Sequence, residues 1–234
     1  MSRSRVLTPQ VHGYRLTAGA VLLILNAATY LMLEATVAAA WRDPVYSYSY
    51  NYISDLGVPD VSELQGRLIN SPLHVLMNGA FILHGVVFII AAALIWQTIA
   101  RPELRRTYLA LAIMHGIGIG MVGLFPGSAA ALENGTAVLH GAGAVLAIGA
   151  GNAAGIVAGI DLARRRLPKL GTAFIMLGIA GIAAFGYLLA NPGTQIDGIP
   201  ERISVYTIIA SEVLAALALL VSGRRKLLGQ QSSA

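Results

Sequence analysis

Residues 72–100 read PLHVLMNGAFILHGVVFIIAAALIWQTIA, a run without a single Asp, Glu, Lys or Arg. A helix rises 1.5 Å per residue, so about 20 apolar residues cross the hydrocarbon core of a bilayer. This run is long enough to span one. Five flanking stretches repeat the pattern, at 16–40, 107–126, 136–162, 170–190 and 202–222. The joints carry helix breakers: Arg101-Pro102, Pro126-Gly127, Leu167-Pro168 and Asn191-Pro192-Gly193. The predicted fold is all-α, a polytopic membrane helix bundle of about six transmembrane helices forming one domain over residues 1–234. The first run ends in Ala38-Ala39-Ala40, which mimics a signal-peptidase site. It is much longer than the roughly 7–15 residues of a signal core, so it is read as a retained helix.

Composition agrees. The chain is 56% hydrophobic and 12% charged, with a mean hydropathy of +0.69. A soluble domain carries about 25% charged residues, so half the polar surface that water requires is gone. The net charge of +5 does not point to nucleic acid, because the basic residues sit in short clusters between apolar runs. The absence of cysteine removes disulfides, thiolate metal ligands and a cysteine nucleophile. Both lysines, Lys169 and Lys226, lie between or beyond spans, which excludes a retinal Schiff base inside the bundle.

The charges orient the spans. Arg3, Arg5, Arg15, Arg101, Arg105, Arg106, Arg164, Arg165, Arg166, Lys169, Arg224, Arg225 and Lys226 fall on one side. Only Arg42, Arg67 and Arg202 fall on the other, with Asp43, Asp55, Asp60, Glu63, Glu133, Asp197 and Glu201. The positive-inside rule makes the first side, and both termini, cytoplasmic. The expected location is the cell (plasma) membrane.

The long connection 41–71 lies on the outer side. It carries Tyr46, Tyr48, Tyr50 and Tyr52 at a spacing of two, the pattern of an extended segment anchored along the interface. Gly151, Gly155 and Gly159 recur every fourth position, and Gly116, Gly120 and Gly123 line the third span. Such spacing lets helix backbones approach closely, within the chain or at the seam of a homo-oligomer or a membrane-complex partner.

Ionisable groups inside spans cost a few kcal/mol each and need a reason to be there. One group lies towards the outer side: Glu34, His74, Asn78, His140, Glu201 and Arg202, with Asn51, Ser54 and Asp55 in the loop above. These would line a polar pocket at the outer leaflet or hydrogen-bond water and headgroups one by one. The second group, His84, His115 and Glu212, is deep; Asn26 and Asn152 also fall inside spans. It reads as a polar clasp between helices, a proton relay or a cofactor site.

Two metal-based readings follow. A zinc ion would take His74, His140 and Asp55, leaving a position for water, although no HxxxH or HExxH spacing is present. Haem b is restricted to one group between His84 and His115, since His74 and His84 are ten residues apart and about 80° out of register. Ser54 with His74 or His140 would be a hydrolase pair, but no GxSxG elbow surrounds it.

The run Asn51-Tyr52-Ile53-Ser54-Asp55-Leu56-Gly57, Gly123-Leu124-Phe125-Pro126, His140 and Glu201-Arg202 together resemble the bacterial and archaeal membrane-protein family called domain of unknown function 998. Ile53, Ser54, Asp55 and Gly57 are also similar to the DRAM-like and GPI-remodelling membrane proteins, which act in lipid handling. The resemblance implies attention to Ser54, Asp55, Gly57, Pro126, His140, Glu201 and Arg202. A structural reading of the same motif has Asp55 capping a turn and Gly57 supplying a positive φ.

The functional expectation is lipid handling or modification in an outer-leaflet polar pocket. Asp55 and His140 would be the acid–base or metal-binding pair, Ser54 a donor or nucleophile, and Arg202 the holder of an anionic headgroup. Glu201, His74, Asn78 and Glu34 would complete the binding set. The alternatives are a non-catalytic membrane subunit or scaffold, and third a proton-coupled transporter using His84, His115 and Glu212. Whether the protein is an enzyme stays open on sequence.

Overall fold

A computed structural model of the chain describes residues 9–165 and 167–231. Arg3, Arg5 and Arg166, and the side chains of Arg224, Arg225 and Lys226, which contributed to the charge reading, lie outside what is described.

The long helices are α1 (Pro9–Ala40), α2 (His74–Ile95), α3 (Pro102–Leu124), α5 (Ala137–Arg164), α6 (Pro168–Ala190) and α7 (Gly198–Gln231), and a short α4 (Ala129–Glu133) precedes α5. The six long ones each contain a stretch apolar and long enough to cross a membrane. Pro102 and Pro168 open α3 and α6, where the missing N–H would have had no helical partner anyway. Each long helix packs on the next, and α7 closes back on α1, so the chain forms a ring of six in sequence order. α5 also reaches α7 across the ring. The outward faces carry exposed Met32, Val75, Ile117 and Met176. Apolar surface of this extent suits lipid as the solvent.

Backbone contact sets how tightly neighbours sit. A Cβ on Gly85 of α2 would stand 2.5 Å from the Gly116 carbonyl oxygen of α3, and one on Gly159 of α5 would stand 2.6 Å from that of Gly171 in α6. The small-residue pattern is therefore used mainly within the chain, since Gly116, Gly123, Gly151, Gly155 and Gly159 all meet neighbouring helices. Gly120 alone of the six faces open space.

The connection after α1 departs from the expected extended segment. It winds through turns, a 3-10 turn at Ser54–Gly57 and a hairpin of β1 (Ser62–Leu64) and β2 (Arg67–Ile69). Gln65 and Gly66 both have positive φ, as a two-residue hairpin turn requires. Tyrosine spacing misleads here because each ring finds a partner inside the fold. Tyr46 Oη donates to the Tyr52 carbonyl at 2.8 Å, Tyr50 Oη to that of Gly66 at 2.9 Å, and Tyr52 Oη to Asp197 at 2.8 Å. Tyr48 stacks on the Arg202 guanidinium at 4.7 Å.

Candidate functional site

Three polar arrangements lie between the loop face, where residues 41–73 sit, and the middle of the bundle. The first is the loop cap. Asp55 is buried, and its Oδ2 accepts from Arg67 Nε at 2.9 Å, from the Tyr52 N–H at 3.0 Å and from Asn51 Nδ2 at 3.4 Å. Arg67 lies 4.0 Å above the Tyr52 ring. Burial alone would lower the Arg67 guanidinium, but the Asp55 charge beside it holds it above its ordinary value. Asp55 accepts the Tyr52 N–H ahead of the 3-10 turn, but the turn itself has no side-chain cap. Nor does Gly57 have a positive φ. Its missing side chain is explained by Asn78, whose Nδ2 donates to the Gly57 carbonyl at 2.8 Å and whose Oδ1 would stand 2.2 Å from a Cβ.

Asp197, from the α6–α7 connection, ties down the other edge of the cap. Burial raises its carboxyl, but hydrogen bonds from the Thr194 hydroxyl, Tyr52 and the Gly193 and Thr194 N–H groups outweigh that and leave it below the usual carboxylate range. The Tyr52 phenol is pushed up, first by burial and then by its bond to Asp197.

Arg202, on the first turns of α7, pins the loop. Its Nη1 donates to the carbonyls of Tyr48 at 2.7 Å, Asn51 at 2.8 Å and Gly198 at 3.1 Å. Its Nη2 donates to Tyr46 Oη and lies 3.4 Å from Glu34 Oε1. Tyr206, one turn further along α7, donates to the same Glu34 oxygen at 2.9 Å. Glu201 accepts from the Ile53 N–H and, at 3.4 Å, from that of Ser54. Arg202 Nε and Glu34 Oε2 are buried without a hydrogen-bond partner.

The second arrangement is a lateral groove of about 550 Å³, open to the side. Leu177 of α6 with Ile199 and Ile203 of α7 form its apolar walls; Tyr48, Ser49, Arg202, Tyr206 and Thr207 are the polar residues that line it.

The third lies in mid-bundle. His84 Nε2 stands 3.2 Å from Glu212 Oε1, and Asn26 Nδ2 donates to Glu212 Oε2 at 3.0 Å. The His84–Glu212 approach is close, but Glu212 Oε1 has no hydrogen bond of acceptable direction. His115 Nδ1 meets the Ala147 carbonyl at 2.8 Å. The His84 and His115 ring centroids are 5.5 Å apart.

The residues expected to share one outer pocket divide among different partners. Asp55, His140 and Arg202 make no hydrogen bonds to one another: Asp55 is taken by Arg67, Arg202 by the loop carbonyls, and His140 Nδ1 by the Phe125 carbonyl at 2.9 Å. Asp55 and Arg202 meet only through Asn51, which bonds both. His74 Nδ1 faces the Ser71 carbonyl at 3.0 Å. The expected zinc set therefore does not assemble, and among the described residues no three His, Cys, Asp or Glu side chains are placed to hold a metal ion. A haem does not fit between His84 and His115 either. The cavity they line admits a molecule of about water size.

Several contributors escaped the sequence reading. In the sequence Arg67 reads only as a loop charge, and no local motif marks Tyr30 or Tyr206. Asn26, Tyr30 and Glu34 fall four apart on one face of α1, a spacing that would have grouped them. Arg202 and Tyr206 repeat that offset on α7. At the opposite end of the bundle, buried Asp161 accepts from the Ala100 N–H at 3.1 Å and pairs with Arg165 at 3.1 Å, an i,i+4 signal also visible in the sequence.

No curated protein matches the chain, and no solved structure does. A family profile does, over residues 26–218, which contain the loop cap, the groove and the mid-bundle cluster. The chain belongs to the family described as "Protein of unknown function (DUF998)", and with six apolar helices in a closed ring it is an uncharacterised multi-pass integral membrane protein.

Proposed function

We propose that this protein binds a lipid from the outer leaflet of the cell membrane, with its loop face outward and both termini cytoplasmic. The supporting observation is the groove between α6 and α7, apolar along Leu177, Ile199 and Ile203 and polar at Tyr48, Arg202 and Tyr206. From Ile199 to Thr207 α7 rises about 12 Å, enough for the upper part of an acyl chain to lie against it. Among the described residues Arg202 is the only cation lining the groove, and Glu34 and Glu201 stand close to it. An anionic headgroup would meet two carboxylates there, so the mouth suits a zwitterionic or uncharged headgroup better. The proposed activity is binding, because Asp55 and His140 are each engaged elsewhere and Ser54 has no histidine partner among the described hydrogen bonds.

The test is native mass spectrometry of the full-length protein, extracted in mild detergent, alongside Leu177→Trp and Ile203→Trp variants that fill the groove. Expected is a retained phospholipid on the wild type, depleted in both variants, and readily replaced by added phosphatidylcholine. A wild type that carries no lipid, or filled variants that keep as much as the wild type, would overturn the reading.

A further inference from the structure

Below the groove, a small enclosed cavity is lined by Tyr30, His84, His115, Ile119 and Ala147 among others. It leaves about 10 Å³ for the centre of a water molecule, roughly what one buried water needs. Tyr30 Oη, His84 Nδ1 and His115 Nε2 are all buried, and none has a hydrogen-bond partner in the protein. A buried water usually makes about three hydrogen bonds, so the number of free polar atoms matches one occupant. The alternative is three buried polar atoms with no partner at all, an unfavourable arrangement in a low-dielectric interior.

The roles of these atoms follow from their other contacts. A carbonyl only accepts, so His115 Nδ1 must carry the hydrogen that faces Ala147, and the neutral ring then offers a lone pair at Nε2. His84 presents Nε2 to Glu212 and leaves Nδ1 free. Tyr30 can donate or accept.

We propose that this cavity is a water-binding site at the centre of a buried proton-holding unit formed by Glu212, His84, the water and His115. The transfer is balanced. Once a side-chain rotation aligns the 3.2 Å approach of Nε2 to Oε1, Glu212 Oε1–H gives its proton to His84 Nε2, His84 Nδ1–H gives one to the water, and the water gives one to His115 Nε2. The end state is a Glu212 carboxylate, a neutral His84 of the other tautomer, the same water and a His115 imidazolium. No oxidant, metal or further reactant is needed.

Access follows one face of α1. Tyr30 lies one turn from Glu34, whose Oε1 accepts from Tyr206, and Tyr206 lines the open groove. A proton entering from the groove would pass Tyr206, Glu34 and Tyr30 before reaching the water. Glu212, His84 and His115 do not line the groove, so the unit stands apart from the lipid-binding reading; only its access route, through Tyr206, touches the groove.

The groups that bear on Glu212 and His84 can be named helix by helix. α1 supplies Asn26, Tyr30 and Glu34, and α3 supplies His115 and, within range of the Glu212 charge, Tyr108. α7 adds Glu201, Arg202 and Tyr206 towards the loop face. The titratable groups of α5 (His140, Asp161, Arg164) and of α6 (Lys169, Tyr187) lie near the ends of those helices.

The test is infrared difference spectroscopy of the full-length protein in nanodiscs between H2O and D2O, which marks the C=O stretch of an exchangeable carboxylic acid. Expected is a carboxylic-acid C=O band that is lost in Glu212→Gln and shifts in frequency in Tyr30→Phe, which removes one ligand of the water while keeping the ring. No such band in the wild type, a band that survives Glu212→Gln, or a band that Tyr30→Phe leaves unmoved would each reduce the cluster to a static clasp. Tyr30→Phe keeps the ring packing, so its spectrum is readable even if Glu212→Gln weakens the fold.

Discussion

Asp55 and Glu212 are both carboxylates buried beside a basic side chain, and their surroundings differ. Asp55 receives Arg67, the Tyr52 N–H and Asn51. Glu212 receives one directed hydrogen bond, from Asn26, and the off-axis approach of His84. The loop cap thus spends its polar atoms on holding chain segments together. The mid-bundle cluster leaves Tyr30, His84 and His115 atoms unused where polar atoms are most expensive to bury. A saturated network stabilises one geometry. An unsaturated one retains the capacity to bind something, and that is the reason for placing proton chemistry at Glu212 rather than at Asp55.

The comparison can be broken most directly at Asp55. Asp55→Ala leaves Arg67 buried without its partner, and breaking such a pair costs about 3–5 kcal/mol. The double variant with Arg67→Met should recover more than half of that in thermal unfolding of the detergent-solubilised protein. If Asp55→Ala were as stable as the wild type, the cap would not be the structural device described here. Next in size is Arg202→Lys, which keeps the charge but loses the planar fork that meets the loop carbonyls through Nη1 and Tyr46 and Glu34 through Nη2. Its expected cost is about 1.5–3 kcal/mol, read in the same unfolding assay.

Smaller still is an acid effect at Asp197. Its folded-state carboxyl sits below the ordinary value, so its contribution is complete above the unfolded pKa and is lost as pH falls through the folded one. Stability measured from about pH 4 downward should fall less steeply in Asp197→Asn than in the wild type. The smallest effect sharpens the contrast from the other side. Tyr30→Phe removes a hydroxyl with no protein partner and should change stability by under about 1 kcal/mol, whereas Tyr52→Phe, which breaks the bond to Asp197, should cost about 1 kcal/mol.

Much of the architecture was legible because a bilayer imposes a one-dimensional rule. Runs such as 72–100 must be long and apolar, and breakers such as Arg101-Pro102 must end them; α2 and α3 begin and end close to where those signals fall. The deep cluster was legible too, because His84, His115 and Glu212 are out of place in an apolar run wherever they point. The loop was not. Alternating Tyr46, Tyr48, Tyr50 and Tyr52 suggested an extended interfacial strip, and only the tertiary fold supplied the competing partners at Arg202, Gly66 and Asp197. The expected Asp55–His140–Arg202 pocket failed for the same reason. Being on one side of the membrane puts residues in the same layer without deciding which of them touch.

By itself, then, the order of residues determined the number of long apolar helices and the position of each polar group along its helix, since these depend on local hydropathy and helical rise alone. The tertiary structure decided that α7 closes on α1, that Arg67 answers Asp55, and that Tyr30 faces two histidines across a water-sized space. Those outcomes depend on helix rotation and on contacts between distant segments. Both are settled by close packing at pairs such as Gly85 and Gly116, which no local pattern encodes.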